Sequence, residues 1–224
     1  MLRAIRLDGF GANGVTRSER RQAEAGNGVG GTRGRACGIL GAIAMFIWTF
    51  IAHMFLPLGD AGVAEIPNEQ AVTSAMQSSL GDQSGFYFFP GPGLGHKPTK
   101  QEEREAMKQV EEKMKTTPSG ILIYHPAGHL FNFGRSLLIE FITELIEAIL
   151  VVSLLAQTRI ATFGGRLGFV FVAGILAAIA TNVSYWNWYG FPTVYIASYM
   201  LIEIVGFFCI GIVAGLVFKR GMPA

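Results

Sequence analysis

Three glutamates interrupt a long apolar run, RSLLIEFITELIEAILVVSLLAQ, at residues 135–157. Glu140, Glu144 and Glu147 are spaced i, i+4, i+7, which puts all three on one face of an α-helix. Each ionised carboxylate costs about 2.5–3.5 kcal/mol or more at the centre of a bilayer. A helix in contact with lipid on every side would not carry three of them. We therefore expect this face to be turned toward the protein interior or toward water.

Four apolar runs are each long enough to cross about 30 Å of hydrocarbon. Half of the 224 residues are hydrophobic and only 15% are charged, compared with about 25% in an average soluble protein. These features predict an all-α membrane protein built as a four-transmembrane-helix bundle. The first run is longer than the core of a secretory signal peptide, so we expect it to remain as an anchor. The predicted spans are residues 38–58, 135–157, 167–187 and 193–218.

Lysine and arginine are concentrated in the segments that flank the spans on one side. Seven arginines precede residue 37, Arg159 and Arg166 lie between the second and third spans, and Lys219 and Arg220 follow the fourth. Because such residues are enriched on the cytoplasmic side of membranes, both termini are predicted to be cytoplasmic. The predicted division is an Arg-rich cytoplasmic disordered tail at 1–36, transmembrane helix 1 at 37–58, an external α/β segment at 59–133, transmembrane helices 2–4 at 134–218 and a cytoplasmic tail at 219–224.

The external segment is too long for a simple turn and is predicted to fold. Apolar residues in IPNEQAVTSAMQSSL recur at helical spacing from a start near Pro67. The runs at 85–90 and 120–126 are typical of strands, and a charged helix is predicted between them at 99–115. We expect a small external α/β layer, inserted between transmembrane helices 1 and 2, that rests on the outer ends of the membrane helices. The residues expected at that contact are Phe86, Phe88 and Phe89.

Polar groups from all four spans fall in the outer half of the predicted bundle, at 1.5 Å of rise per residue. One interpretation is a water-accessible acidic cavity for protons, a cation or a basic ligand. The other is structural: protonated glutamates would hydrogen-bond between helices, and Arg135 would pair with Glu140 or with an external acid. The candidate ion- or proton-binding residues are Glu140, Glu144, Glu147, Glu203 and His53.

The chain lacks the motifs of common enzymes and metal sites. No nucleophile elbow, phosphate loop, dinucleotide fingerprint, HExxH or CxxCH sequence occurs. His125 and His129 are four residues apart, but a proline between them disfavours one continuous helix. A metal held by His53 with Glu140 or Glu144 is the less favoured alternative. We therefore expect no enzyme, no cofactor and no resident metal, and the net charge of +2 gives no indication of a nucleic-acid partner.

Five blocks of sequence carry a resemblance to known proteins: IWTFIAHMFLPLG (47–59), EIPNEQAV (65–72), GFYFFPG (85–91), PSGILIYHPAG (118–128) and VSYWNWYGFPT (183–193). Together they resemble a group of small, uncharacterised bacterial inner-membrane proteins, over about residues 47–218. The resemblance implies a bacterial source and an inner-membrane location. It transfers no activity and no site residue.

Two functions from different classes fit these features. The first, which the sequence favours, is a non-enzymatic accessory subunit or envelope protein that acts through its external layer, in the lipid bilayer and within a larger membrane complex or homo-oligomer. The second is a small transporter or proton- or cation-coupled carrier that uses the glutamates. No inverted internal repeat is visible, which weighs against a carrier. The discriminating observation is whether a polar cavity opens onto the glutamates or whether they are sealed in pairs.

Overall fold

The structure, a computed structural model, describes residues 32–218, and within them the chain forms six helices and one two-stranded sheet. Of the predicted tails, residues 1–31 and 219–224 lie outside the described residues. Residues 32–36, which were predicted to belong to the disordered tail, are helical instead, so that part of the prediction is wrong. In chain order the elements are α1 (Thr32–Met54), α2 (Glu69–Leu80), β1 (Gly85–Phe89), α3 (Lys100–Met114), β2 (Gly120–Tyr124), α4 (Phe133–Ala156), α5 (Phe163–Tyr189) and α6 (Thr193–Val217).

Within residues 32–218, three helices are long and apolar enough to cross a membrane: α1, α5 and α6. They correspond to the first, third and fourth predicted spans, although α1 begins at residue 32 rather than 38 and ends at 54 rather than 58. The second predicted span forms α4, which is 24 residues long. It differs from the other three because it carries Arg135 and the three glutamates.

The four long helices run in alternating directions and form an open row. α1 packs against α4 on one side and α6 on the other, and α6 packs along α5, whereas α4 makes few contacts with α5 or α6. The closed end of this bundle is where α1 and α5 begin and α4 and α6 end. The open end is the opposite one, marked by Met54, Phe133, Tyr189 and Thr193. The row is therefore brought together at the closed end and spreads apart at the open end.

An apolar core fills the closed end. Buried side chains from all four helices meet there and exclude water, which provides most of the packing that holds the bundle. Glycines allow the helices to approach closely: a Cβ on Gly174 of α5 would lie 2.4 Å from the Cβ of Phe207 on α6. The core residues include Cys37, Ala148, Val151, Val152, Leu155, Val170, Phe207, Ile210 and Ala214.

Arg166, which the sequence marks only as a basic flanking residue, is buried at the closed end and 1% exposed. Its Nε donates to the carbonyl of Ile160 over 3.0 Å, and its Nη1 donates to the carbonyl of Phe218. The guanidinium also lies 5.5 Å from the centre of the Phe218 ring. The Phe218 carbonyl lies at the end of α6, where carbonyl groups have no partner within the helix, and the Ile160 carbonyl lies in the loop before α5. Arg166 therefore joins the start of α5 to the end of α6.

The inserted segment forms the predicted order of helix, strand, helix and strand. β1 and β2 are antiparallel, with Gly85 opposite Tyr124 and Phe89 opposite Gly120. They end one and two residues before the predicted limits of 90 and 126. The Tyr124 hydroxyl donates to the carbonyl of Gly81 over 2.9 Å and ties the end of α2 to the sheet. A capping box between Thr99 and Glu102 starts α3.

The two-stranded sheet contacts the open end of the bundle through one of its faces. The rings of Phe86 and Phe88 lie 6.3 and 6.1 Å from that of Tyr189, at the end of α5. Phe89, which we expected at the same contact, points to the opposite face and lines a groove beneath α2. The alternation of side chains along a strand accounts for this difference, since Phe88 and Phe89 cannot share a face.

Candidate functional site

A cavity of about 510 Å³ lies between α1, α4, α5 and α6, on the open-end side of the apolar core. It exists because α4 diverges from α5 and α6 beyond that core. All five candidate residues from the sequence line it: Glu140, Glu144 and Glu147 from α4, His53 from α1 and Glu203 from α6. Their shared location is a fact of the structure, and their role in binding an ion or a proton stays a prediction.

The glutamate face of α4 is directed toward the other helices. Asn132 caps the helix, its Oδ1 accepting from the backbone N–H of Arg135 over 2.9 Å, which fixes where the helix begins. From that start, the i, i+4, i+7 spacing presents the three glutamates at increasing depth. Glu140 is exposed near the open end, Glu144 is buried, and Glu147 is half-buried.

Glu144 is the least solvated acid of the cavity. Its side chain is 2% exposed, and neither carboxylate oxygen has a hydrogen-bond partner among the described residues. Thr49 lies beside it, but the hydroxyl does not form a hydrogen bond of acceptable distance and angle. A buried polar group without a partner costs about 1–3 kcal/mol, and more when it is charged. Native proteins retain few such groups, so this one needs an explanation beyond packing.

The other acids extend the negative charge across the cavity. Glu144 interacts electrostatically with Glu140 and Glu147, and Glu147 interacts with Glu203 on α6. Glu203 has one partner, since Asn182 Nδ2 donates to its Oε2 over 3.3 Å and to the carbonyl of Ala178 over 3.0 Å. The glutamates are therefore not sealed in pairs. The predicted ion pair between Arg135 and Glu140 is not formed in the described part of the chain.

His53 is held in one orientation at the side of the cavity. Its Nδ1 lies 2.9 Å from the backbone oxygen of Thr49. Because a carbonyl only accepts, Nδ1 must carry the hydrogen, which leaves Nε2 as the nitrogen able to take up a proton. The ring also meets that of Tyr199 edge to face, with 5.8 Å between the centres.

The cavity has an aromatic wall that the sequence reasoning did not identify. It consists of Phe46 and Phe50 from α1, Phe131 and Phe133 at the start of α4, and Tyr199 from α6. Phe131 and Phe133 are 76% and 55% exposed and lie at the mouth. A signal for part of this wall was present, because Phe46 and Phe50 precede His53 at the i, i+4, i+7 spacing of one helix face.

The lining favours a positively charged ligand. Four carboxylates and one imidazole face the cavity, while lysine and arginine do not contribute to it. Within residues 32–218, no group of three or more His, Cys, Asp and Glu side chains has the arrangement of a metal site. His125 and His129 lie elsewhere, in the loop before α4, where their rings stack 4.1 Å apart. The loop brings these two together without a helix.

Comparison of the chain with protein-family models, with curated proteins and with solved structures gave no match. A fold alone does not define a function in any case, and function must be argued from the chemistry of a site. For this protein, that site is the acidic cavity and its one buried, partnerless carboxyl.

Proposed function

We propose that the protein is a non-enzymatic, multi-pass membrane protein whose acidic cavity binds a cation, a proton included. We further propose that it acts as a small transporter or a proton- or cation-coupled carrier. The observation that carries this proposal is Glu144, a buried carboxyl group with both oxygens unpartnered, in a cavity shared with three other glutamates. Intramembrane acids are expensive and mark ion or substrate pathways in membrane proteins.

The proposal includes α4 as a fourth membrane span. Its 24 residues extend about 36 Å at 1.5 Å per residue, enough to cross the hydrocarbon layer. Its glutamates face the cavity, so their charge is kept away from lipid. The side turned away from the bundle is exposed and mainly aliphatic, with Thr143 and Ser153 as small polar residues among the aliphatic ones, as suits a lipid-facing surface. The residues on that side are Ile139, Ile142, Ile146, Leu150 and Leu154.

The proposed location is a bacterial inner membrane, with both termini in the cytoplasm and the inserted segment outside. Two sequence features support this orientation. Basic residues flank the closed end, as the cytoplasmic side of membrane proteins requires. Exposed aromatic side chains surround the open end, including Trp186 and Trp188, and such rings prefer the membrane–water interface. In this orientation the cavity opens toward the outside of the cell.

A second candidate function is an accessory role in a larger membrane complex or a homo-oligomer. It is favoured by the inserted segment, which makes few contacts with the four long helices. On the face of the sheet that contacts Tyr189, the side chains of Phe86, Phe88 and Ile123 each remain more than half accessible. This surface is compatible with a partner protein, but it does not explain an unpartnered glutamate inside the bundle. We therefore place this function second.

Infrared titration tests cation binding at the glutamates. Buried carboxyl groups absorb in the C=O stretching region when protonated, so purified protein is titrated with acid while this region is recorded. We expect a carboxyl band that is lost in Glu144→Gln and retained in the matched control Glu111→Gln, whose glutamate is exposed on α3. A Glu144→Gln spectrum identical to that of the wild type at every pH would contradict the proposal.

Reconstitution then tests transport. Wild type and both variants are placed in liposomes that contain a pH-sensitive dye, and a membrane potential is imposed. We expect a proton flux that Glu144→Gln abolishes and Glu111→Gln preserves. If flux is absent and the protein purifies from native membrane with a partner in fixed stoichiometry, the accessory role replaces the carrier role.

A further inference from the structure

We infer that the cavity takes a lipophilic organic cation, one in which a positive centre carries aromatic or alkyl groups, rather than a bare inorganic ion. This inference rests on the proposed cation-binding function and names the class of ligand. Size is the first observation. The cavity measures about 510 Å³, within the roughly 300–1,000 Å³ of pockets for drug-sized ligands. A bare cation held by oxygens at about 2–2.6 Å needs far less space.

The second observation is that the cavity lining has an acidic part and an aromatic part. The carboxyl of Glu144 is buried in the wall, while Phe46, Phe50 and Tyr199 present rings to the same space. Aromatic faces attract cations within about 6 Å, and this attraction strengthens when water is excluded. Phe46 is fixed by an edge-to-face contact with Phe141, at 5.3 Å between ring centres. The site therefore offers one carboxyl group without a hydrogen-bond partner among the described residues, and an aromatic wall in which the Phe46 ring is fixed.

The lining is also poorly suited to a bare metal ion. Such an ion needs several oxygen or nitrogen ligands converging on one point. Among the described residues, no three acidic, histidine or cysteine side chains converge in that way. A ligand with its own apolar groups needs only one close carboxylate, because its remaining surface is satisfied by apolar contact.

The bundle offers such a ligand a path from the bilayer. α4 makes few contacts with α5. Thr143 of α4 and Thr181 of α5 both line the cavity and are exposed, so the cavity is accessible from the gap between these helices. A lipophilic cation concentrates in the membrane interface and would enter from there.

Calorimetric titration of the purified full-length protein with tetraphenylphosphonium chloride tests the inference. Tetraphenylborate has the same shape and the opposite charge, and tetramethylammonium has the charge without aromatic groups. We expect saturable binding of tetraphenylphosphonium at one site, and at least about tenfold weaker binding of the other two ions, since each lacks one of the two contacts. Equal binding of tetraphenylphosphonium and tetraphenylborate would show simple apolar partitioning and overturn the inference.

Variants then locate the site. Glu144→Gln should weaken tetraphenylphosphonium binding by at least about tenfold, because it removes a buried charge partner. Phe50→Leu should weaken it by about two- to tenfold through loss of a cation–π contact. Glu111→Gln should bind as wild type. The melting temperature of each variant shows whether it is folded, and if Glu144→Gln is not, Phe50→Leu and Glu203→Gln carry the test. Wild-type affinity in all folded cavity variants would place the binding elsewhere and refute the inference.

The two proposals fail in different ways. Absence of tetraphenylphosphonium binding, together with a Glu144-dependent carboxyl band in the infrared titration, refutes the organic-cation ligand and leaves proton or ion binding standing. Absence of both refutes the cation-binding function itself.

Discussion

Replacing Glu144 by leucine should stabilise the protein, an unusual result for a buried residue. In most helix bundles a buried polar side chain makes an interhelical hydrogen bond, and its loss destabilises. Here both carboxylate oxygens lack a partner among the described residues. Leucine would remove an unsatisfied group and add an apolar side chain beside Met45 and Thr49, which line the same cavity.

The expected gain follows from the cost of the unsatisfied group. Leaving a buried polar group unpaired costs about 1–3 kcal/mol, so Glu144→Leu should raise the free energy of unfolding by about that amount. Glu203→Leu is the matched control, because it removes an acid that does have a partner, Asn182. That change should lower the free energy of unfolding by about 0.5–1.5 kcal/mol. The two substitutions are chemically identical and should act with opposite sign.

Reversible unfolding in mixed detergent micelles, followed by far-ultraviolet circular dichroism, measures both effects. Glu144→Leu should also lose cation binding, so that stability rises while function falls, as is common when a functional site carries a destabilising group. A loss of about 1 kcal/mol or more in Glu144→Leu would refute the reasoning. It would mean that Glu144 forms an interhelical hydrogen bond and that the glutamate face is a structural network.

Two further predictions concern packing and pH. Gly174→Ala should lower the free energy of unfolding by about 1–3 kcal/mol in the same assay, because the new Cβ would lie 2.4 Å from that of Phe207. Gly168, on the same helix, has open space around it. Gly168→Ala should therefore leave the free energy of unfolding unchanged or raise it by up to about 1 kcal/mol. In the inserted segment, hydrogen bonds from the Thr99 backbone N–H and then its hydroxyl hold the pKa of Glu102 below its usual range. Because the folded-state pKa is the lower one, the resulting stabilisation of α3 is present above the unfolded-state pKa and is lost as the pH falls through the folded-state value. The protection factors of the α3 amides, which are exchange rates corrected for the intrinsic pH dependence of exchange, should therefore fall on acidification, and Thr99→Ala should reduce this dependence.

Local sequence patterns predicted most of the elements in this chain. The two strands, the two short helices and the apolar helices were placed to within six residues at each end, because their periods and end signals are local. The prediction that the glutamate face avoids lipid also followed from spacing alone, since three carboxylates on one face leave few alternatives. Four membrane spans were predicted, and within residues 32–218 three helices meet the criteria of length and apolar composition. The charged residues that distinguish α4 are also the reason that it fails the criterion of apolar composition.

Other features depend on tertiary packing and were not predictable. Phe46 and Phe50 have the same spacing whether they face lipid, a core or a ligand, so the aromatic wall was missed. Arg166 was interpreted as a flanking charge, yet one of its acceptors, the carbonyl of Phe218, is 52 residues away in the chain. In both cases the missing information was which surface the neighbouring element covers. Phe89 is different: it was expected beside Phe88 at the bundle, although the pleat of the predicted strand already separates the two side chains.

Three of the four acids lie on α4, the helix that packs least against the rest of the bundle. α6 is fixed to α5 by close packing at Gly174, and to α1 by the indole N–H of Trp48, which donates to the carbonyl of Ile202 over 2.9 Å. These three helices pack continuously, α1 on α6 and α6 on α5, whereas α4 is held mainly along α1. The glutamates of α4 therefore face the side of the bundle where helix–helix contact is least. Under the proposed function, a cation bound between α4 and the other three helices would reduce the repulsion among the glutamates, because it carries the opposite charge.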